Sequence, residues 1–124
     1  MAETIMIVDD RVGIRKLLLE VLDGAGYIVF ATAGGAEAVD KIGSQPVDLV
    51  LLDMKMSGMD GLETLTRLKK IRPHVKILIM TAYEELEVLK EAARRGACGH
   101  ISKPFDIEEL KDMIARKLHT ATAS

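Results

Sequence analysis

Residues 49–61, LVLLDMKMSGMDG, run four consecutive apolar side chains into a carboxylate, Asp53, and then into a turn holding Gly58 and Gly61. A short unbroken apolar run closed by turn residues reads as a strand covered on both faces, the signature of a parallel sheet with helices on either side. The acid at its end asks what lies beyond the edge of that sheet.

Outward from this stretch, short apolar runs alternate with longer segments at helical spacing, the rhythm of βα units. The pattern predicts strands over 4–8, 27–31, 48–52, 76–80 and 99–101, and helices over 11–25, 35–42, 62–71, 84–95 and 107–118. Gly24, Gly26, Gly43, Pro46, Pro73 and Gly96 fall at or just after expected helix ends. Asp60 with Glu63, and Asp106 with Glu109, have the spacing of a capping box and start the third and fifth helices. Residues 1–119 are expected to form one domain and 120–124, which lack periodicity, a flexible C-terminal tail.

Composition narrows the class. A chain of 124 residues with 48% hydrophobic and 29% charged residues suits a single soluble domain with one core. Its apolar runs are too short for a membrane span, and the acidic N-terminus is unlike a secretory signal, so a cytoplasmic location is expected. The formal net charge of −2, without a basic cluster, predicts no direct contact with nucleic acid. Cys98 is alone and is expected to be a buried, inert thiol; the seven Met residues read as core and loop filler.

In an open parallel sheet the ligand site lies beyond the carboxyl ends of the strands. Here those ends carry Asp9 and Asp10, then Asp53, Thr81, and finally Lys103 with Pro104. Each alone has a plain reading: an Asp after a strand is often a helix cap, Thr81 could cap the fourth helix, and a lone Lys is ordinarily a solvated charge. Together, three carboxylates on one edge repel unless neutralised, and a hard divalent cation such as Mg²⁺ would do so, held by carboxylates and substrate phosphate. His74, His100 and His119 are scattered and form no transition-metal cluster. Asp53, the single acid on the central strand, is the candidate nucleophile toward phosphorus. Asp9 and Asp10 would hold the metal, Lys103 would pair with Asp53 or a phosphoryl oxygen, and the Thr81 hydroxyl would donate to another.

The motifs IVDD (7–10), LVLLDMKMSGMDG (49–61), ILIMTAY (77–83) and KPF (103–105) resemble, in order and spacing, those of the receiver domain of two-component response regulators. The resemblance spans essentially the whole chain. It implies an α/β flavodoxin-like (βα)5 fold, a doubly wound parallel sheet in strand order 2-1-3-4-5 with helices on both faces. It implies phosphorylation of Asp53 by a histidine kinase or histidine phosphotransfer protein, with Mg²⁺ held by Asp10, Asp53 and the Lys55 backbone carbonyl and supported by Asp9. It also implies a cis Lys103–Pro104 peptide. Such a protein is not an enzyme in the ordinary sense; it is a phosphoacceptor for signal transduction that catalyses its own phosphorylation, with weak autodephosphorylation.

Within the family, IVDDRVGIRKLL, IMTAYEELE and KPFDIEEL look most like the single-domain phosphorelay intermediates of sporulation. A stand-alone, monomeric relay protein is the expectation; the alternative is a receiver cut from a larger regulator such as a transcription factor. Ser57 stands where the family usually has Pro, which predicts a less rigid loop. His100 replaces the Tyr or Phe that reports phosphorylation in many receivers, and His also occupies this place in the sporulation-type relay.

Two further expectations concern tuning and partners. Lys55 and Tyr83, two residues beyond Asp53 and Thr81, should flank the phosphoryl group and obstruct a hydrolytic water, giving a long-lived phosphoaspartate; the plain alternative has both in solvent. The first helix carries Ile14, Leu17, Leu18, Val21, Leu22 and Ala25, with Val12 and Leu19 further round. That arc is wider than packing on a sheet needs. Gly13, Ile14 and Leu17, with Pro104 and Phe105, are therefore expected to dock a helical bundle presenting a phosphohistidine; the alternative is a broad core face. Two readings from other classes fit less well. A flavin carrier would need donors where DDRVG puts acids, and an Asp-nucleophile phosphatase would usually need an acid where Lys55 stands.

Overall fold

The computed structural model describes residues 2–56, 58–82 and 86–119. Five βα units follow in order: β1 (Thr4–Val8), α1 (Val12–Gly24), β2 (Ile28–Thr32), α2 (Gly35–Ser44), β3 (Leu49–Asp53), α3 (Gly61–Ile71), β4 (Lys76–Thr81), α4 (Leu86–Arg94), β5 (Gly99–Ser102) and α5 (Ile107–His119). All strand pairs are parallel and the sheet order is β2-β1-β3-β4-β5, which makes β3 central.

The alternation of side chains across the sheet builds two core layers. Ile5, Ile7, Leu49, Leu51, Leu78 and Met80 pack with Leu18 and Leu22 of α1 and Leu110 and Ile114 of α5. Met6, Val8, Val50, Leu52, Ile77 and Ile79 face the other way, onto Ala38 and Ile42 of α2, Leu65 and Leu68 of α3, and Ala92 of α4. The central strand is buried at every position, so the continuous apolar run of residues 49–52 is explained by helices on both faces.

Element ends differ locally from expectation, each for a visible reason. β2 starts at Ile28 because residues 25–27 complete the end of α1: Gly26 takes φ +98° and Tyr27 N–H donates to Leu22 O at 3.2 Å. Gly43 does not end α2, which continues to Ser44 with Ile42 buried beneath it; packing outweighs the helix cost of one glycine, about 1 kcal/mol. β3 and β4 each run one residue further, so Asp53 and Thr81 belong to the ladder. The capping boxes are half-formed. Asp60 accepts from Glu63 N–H at 2.8 Å, but the Glu63 carboxylate turns to Arg67; Asp106 accepts from both Glu108 and Glu109 N–H. The predicted start of α4 at Glu84, Ser57, Tyr83 and the tail 120–124 lie outside the described residues.

Candidate functional site

β1 and β3 are neighbours with Val8 opposite Leu52, so Asp9 and Asp53 leave the sheet side by side. Both follow, at a spacing of two, residues that face α1 and α5, and so does Lys103 after Ile101. Lys103 is carried across β4, its N–H donating to Thr81 O at 2.7 Å, and the Lys103–Pro104 peptide is cis, as the motif implied.

The result is a buried ionic cluster. Lys103 Nζ lies 2.9 Å from Asp9 Oδ2 and 3.2 Å from Asp53 Oδ1. Asp9 is fully buried and its Oδ1 accepts from Arg11 N–H at 2.8 Å; its backbone carbonyl accepts from the Arg15 guanidinium at 2.8 Å. Asp53 is 2% exposed. Its Oδ1 also faces Lys55 N–H at 3.4 Å, a weak bond, and its Oδ2 is buried with no hydrogen-bond partner among the described residues. Burial pushes the Asp53 carboxyl above its ordinary value, the Lys103 charge pulls it down, and Asp9 pushes it up again.

One ammonium shared by two buried carboxylates leaves the cluster negative, and Asp10 adds a third acid. Oxygens of Asp9, Asp10 and Asp53 lie within 4.8 Å of one another. Oxygen donors at this spacing, with one oxygen orphaned in a buried site, fit a hard divalent cation such as Mg²⁺ and lack the nitrogen or sulfur ligands that favour zinc.

The structure gathers most, though not all, of the residues singled out in the sequence. Thr81 is buried at the end of β4 beside Lys103. Ile14, Leu17, Pro104 and Phe105 line an open, mostly apolar groove of about 390 Å³ with Arg11, Ala82 and Lys103, directly beside the acids. Leu18 and Leu22 are the buried stripe of α1, and Ile14, Leu19 and Val21 pack half-buried against the same core, whereas Val12 and Leu17 stay 54% and 42% exposed, so only part of the wide arc is left to the surface. Gly13 is exposed on α1, and Lys55 is exposed next to the acceptor strand. His100 is exposed on β5 beside a cavity of about 150 Å³ that Leu89, Ala92 and Cys98 also line, with no described contact to the acids. Cys98 is half-buried rather than buried as expected, and burial holds its thiol above the ordinary value. Arg15 escaped the sequence reading; the signal was a cation one turn into α1 on the side of the β1 carboxyl end.

Comparison with known proteins agrees with this geometry. The family described as the response regulator receiver domain matches residues 5–115. Sporulation initiation phosphotransferase F of Bacillus subtilis (strain 168) is 48% identical over 118 residues, 95% of either chain. The transcriptional regulatory protein ZraR of Escherichia coli (strain K12) is 38% identical over 94% of this chain, which spans only 26% of that longer protein. Among solved structures, a CheY-like response regulator receiver domain protein from Methanospirillum hungatei JF-1 superposes with a TM-score of 0.94 at 32% identity, over 97% of this chain and 96% of that one.

Proposed function

The chain belongs to the response regulator receiver family, and we propose that it works as a phosphorelay intermediate, taking a phosphoryl group onto Asp53 from a phosphohistidine and passing it on. The observation that carries this reading is the Asp53 carboxylate at the end of the central strand, held at one oxygen by Lys103 while the other, buried, has no hydrogen-bond partner among the described residues.

Asp10, Asp53 and the Lys55 backbone carbonyl would hold Mg²⁺, with Asp9 supporting. The ion supplies charge neutralisation to the oxygens of the transferring group. The rest is done by the chain. The sheet fixes Asp53 so that its attack on phosphorus costs no search in orientation. Lys103, tethered between Asp9 and Asp53, is positioned to follow the developing charge onto a phosphoryl oxygen, and the Thr81 hydroxyl lies one strand away to donate to another. The O–P bond to Asp53 forms as the P–N bond of the donor imidazole breaks, and the imidazole keeps the released pair. Lys55 and Tyr83 are proposed to slow the return hydrolysis.

The donor is proposed to be a histidine kinase or histidine phosphotransfer protein whose helices seat on Gly13, Ile14, Leu17, Pro104 and Phe105. The groove beside the acids supports this, being apolar and contiguous with Lys103. Among the described residues no helix is long and apolar enough to cross a membrane; we place the protein in the cytoplasm, as a monomer without direct contact to nucleic acid. Full-length likeness to a phosphotransferase named for sporulation initiation favours a relay role. The likeness to ZraR supports a second reading, the receiver of a larger regulator.

Replacing Ile14 with Asp separates chemistry from docking. Labelling by acetyl phosphate should persist, whereas transfer from a phosphorylated histidine phosphotransfer protein should fall at least about tenfold, as expected when a charge enters an apolar contact worth more than about 1.4 kcal/mol. Equal loss with both donors would remove the docking assignment.

A further inference from the structure

Gly61 opens α3 and is buried against the residue that follows the acceptor. A methyl group in place of its α-hydrogen would fall 2.7 Å from Met54 Cα, 2.8 Å from Met54 Sδ and 3.0 Å from the Met54 carbonyl oxygen. Two of those three atoms are backbone, so the contact cannot be relieved by turning a side chain.

Neither side has room to yield. Gly61 is anchored by the first turn of α3, where Asp60 caps Glu63 N–H at 2.8 Å and the Thr64 hydroxyl donates to Asp60 O at 2.8 Å. Met54 is pinned from the other side, its N–H donating to Met80 O of β4 at 3.0 Å. The Thr64 hydroxyl sits over Gly35 at the start of α2, where a methyl group would collide with it, so α2 and α3 are also closely packed at this point. Met54 joins Asp53 to Lys55, so any shift of its Cα and carbonyl turns the Met54–Lys55 peptide and displaces the Lys55 Cα from which the Lys55 carbonyl is carried.

We propose that Gly61 is a positioning residue for the cation: by letting α3 close onto the Met54 backbone, it fixes the course of the chain that carries the Lys55 carbonyl away from Asp53. The inference rests on the functional reading above, in which that carbonyl is a ligand. Gly43, inside α2 with open space around it, provides the contrast.

The test is a calorimetric Mg²⁺ titration of the wild-type chain, Gly61→Ala and Gly43→Ala, with the Lys55 amide resonance followed alongside. Gly61→Ala should weaken Mg²⁺ binding by about 10- to 100-fold, the range for groups that orient metal ligands. It should also move the Lys55 resonance before metal is added, while Gly43→Ala matches wild type in both. A purely structural role would lower the melting temperature of Gly61→Ala yet leave the affinity of the folded chain unchanged, and that result overturns the inference. If Gly61→Ala does not fold, Gly61→Ala with Met54→Ala, which removes the thioether and keeps the backbone contact, carries the same expectation. A wild-type chain that takes up no Mg²⁺ overturns the functional reading itself, and the two failures are thereby told apart.

Discussion

The two edges of the sheet make unlike use of similar raw material. At the amino edge a cavity of about 370 Å³ is lined by Val47, Asp48, Ile71, Arg72, Pro73, His74 and Val75. At the carboxyl edge a groove of about 390 Å³ runs beside the acids. Size does not distinguish them; the state of the charges does. Asp48 is exposed and accepts from Thr4 N–H at 2.7 Å, and the Arg72 guanidinium donates to Ile42 O at 3.1 Å, so the amino edge spends its polar groups on closing loops. At the carboxyl edge Asp9 and Asp53 are buried, share one ammonium, and leave one oxygen of Asp53 without a hydrogen-bond partner among the described residues. A buried charge left incompletely satisfied is costly, and its persistence points to a ligand that completes it.

If that contrast is right, substitutions at the two edges should differ in size and in sign. The largest effect belongs to Lys103→Met, which leaves Asp9 and Asp53 facing each other without a cation. Urea unfolding at neutral pH should show a loss of about 3–5 kcal/mol, the range for breaking a buried ion pair from one side. A loss below about 1 kcal/mol, the worth of a surface pair, would erase the distinction between the edges.

Asp53→Asn should do the opposite. Because the folded-state pKa of Asp53 is raised above 3.8, the folded chain keeps a proton that the unfolded chain has released. The carboxyl therefore favours the folded state most below that ordinary value, and its contribution is lost as pH rises through the raised one. Without Mg²⁺ the Asn variant should be more stable than wild type at neutral pH, by about 1–2 kcal/mol. The gap should close under acid conditions, and melting curves across pH would show it. A variant less stable than wild type at neutral pH would mean that Lys103 more than offsets the burial.

The smallest effect is at the amino edge. Asp48→Asn keeps an acceptor for Thr4 N–H and should cost no more than about 0.5–1 kcal/mol in the same unfolding assay, with no change in Mg²⁺ affinity. A change in that affinity would couple the two edges and break the comparison.

The carboxyl edge was legible in the sequence to the extent that strand pattern reaches. Residues 49–52 announce a doubly covered strand, and the strand ends then bring Asp9, Asp10, Asp53, Thr81 and Lys103 to one edge of the sheet. What pattern does not carry is which of two adjacent acids turns inward. Asp9 rather than Asp10 takes Lys103, and beyond the last paired residue of β1 its place is secured by the bonds from Arg11 N–H to its carboxylate and from Arg15 to its carbonyl. Arg15 was missed for a related reason: it acts through a backbone atom of another element, and a contact to backbone leaves no complementary residue type to notice. The glycine turn after Asp53 suggested a role in positioning the Lys55 carbonyl, but the pattern did not single out Gly61, whose close approach is to the Met54 backbone. The extension of α2 through Gly43 was hidden because a glycine signals a stop in sequence while the burial of Ile42 decides the matter in space.

The central claim is that Asp53 accepts the phosphoryl group. Incubation with acetyl phosphate and Mg²⁺, followed by intact-mass measurement, tests it most directly. The wild-type chain should gain a single phosphoryl increment that disappears when the metal is chelated and in Asp53→Asn. An unmodified wild-type chain, or an increment that survives Asp53→Asn, would contradict it.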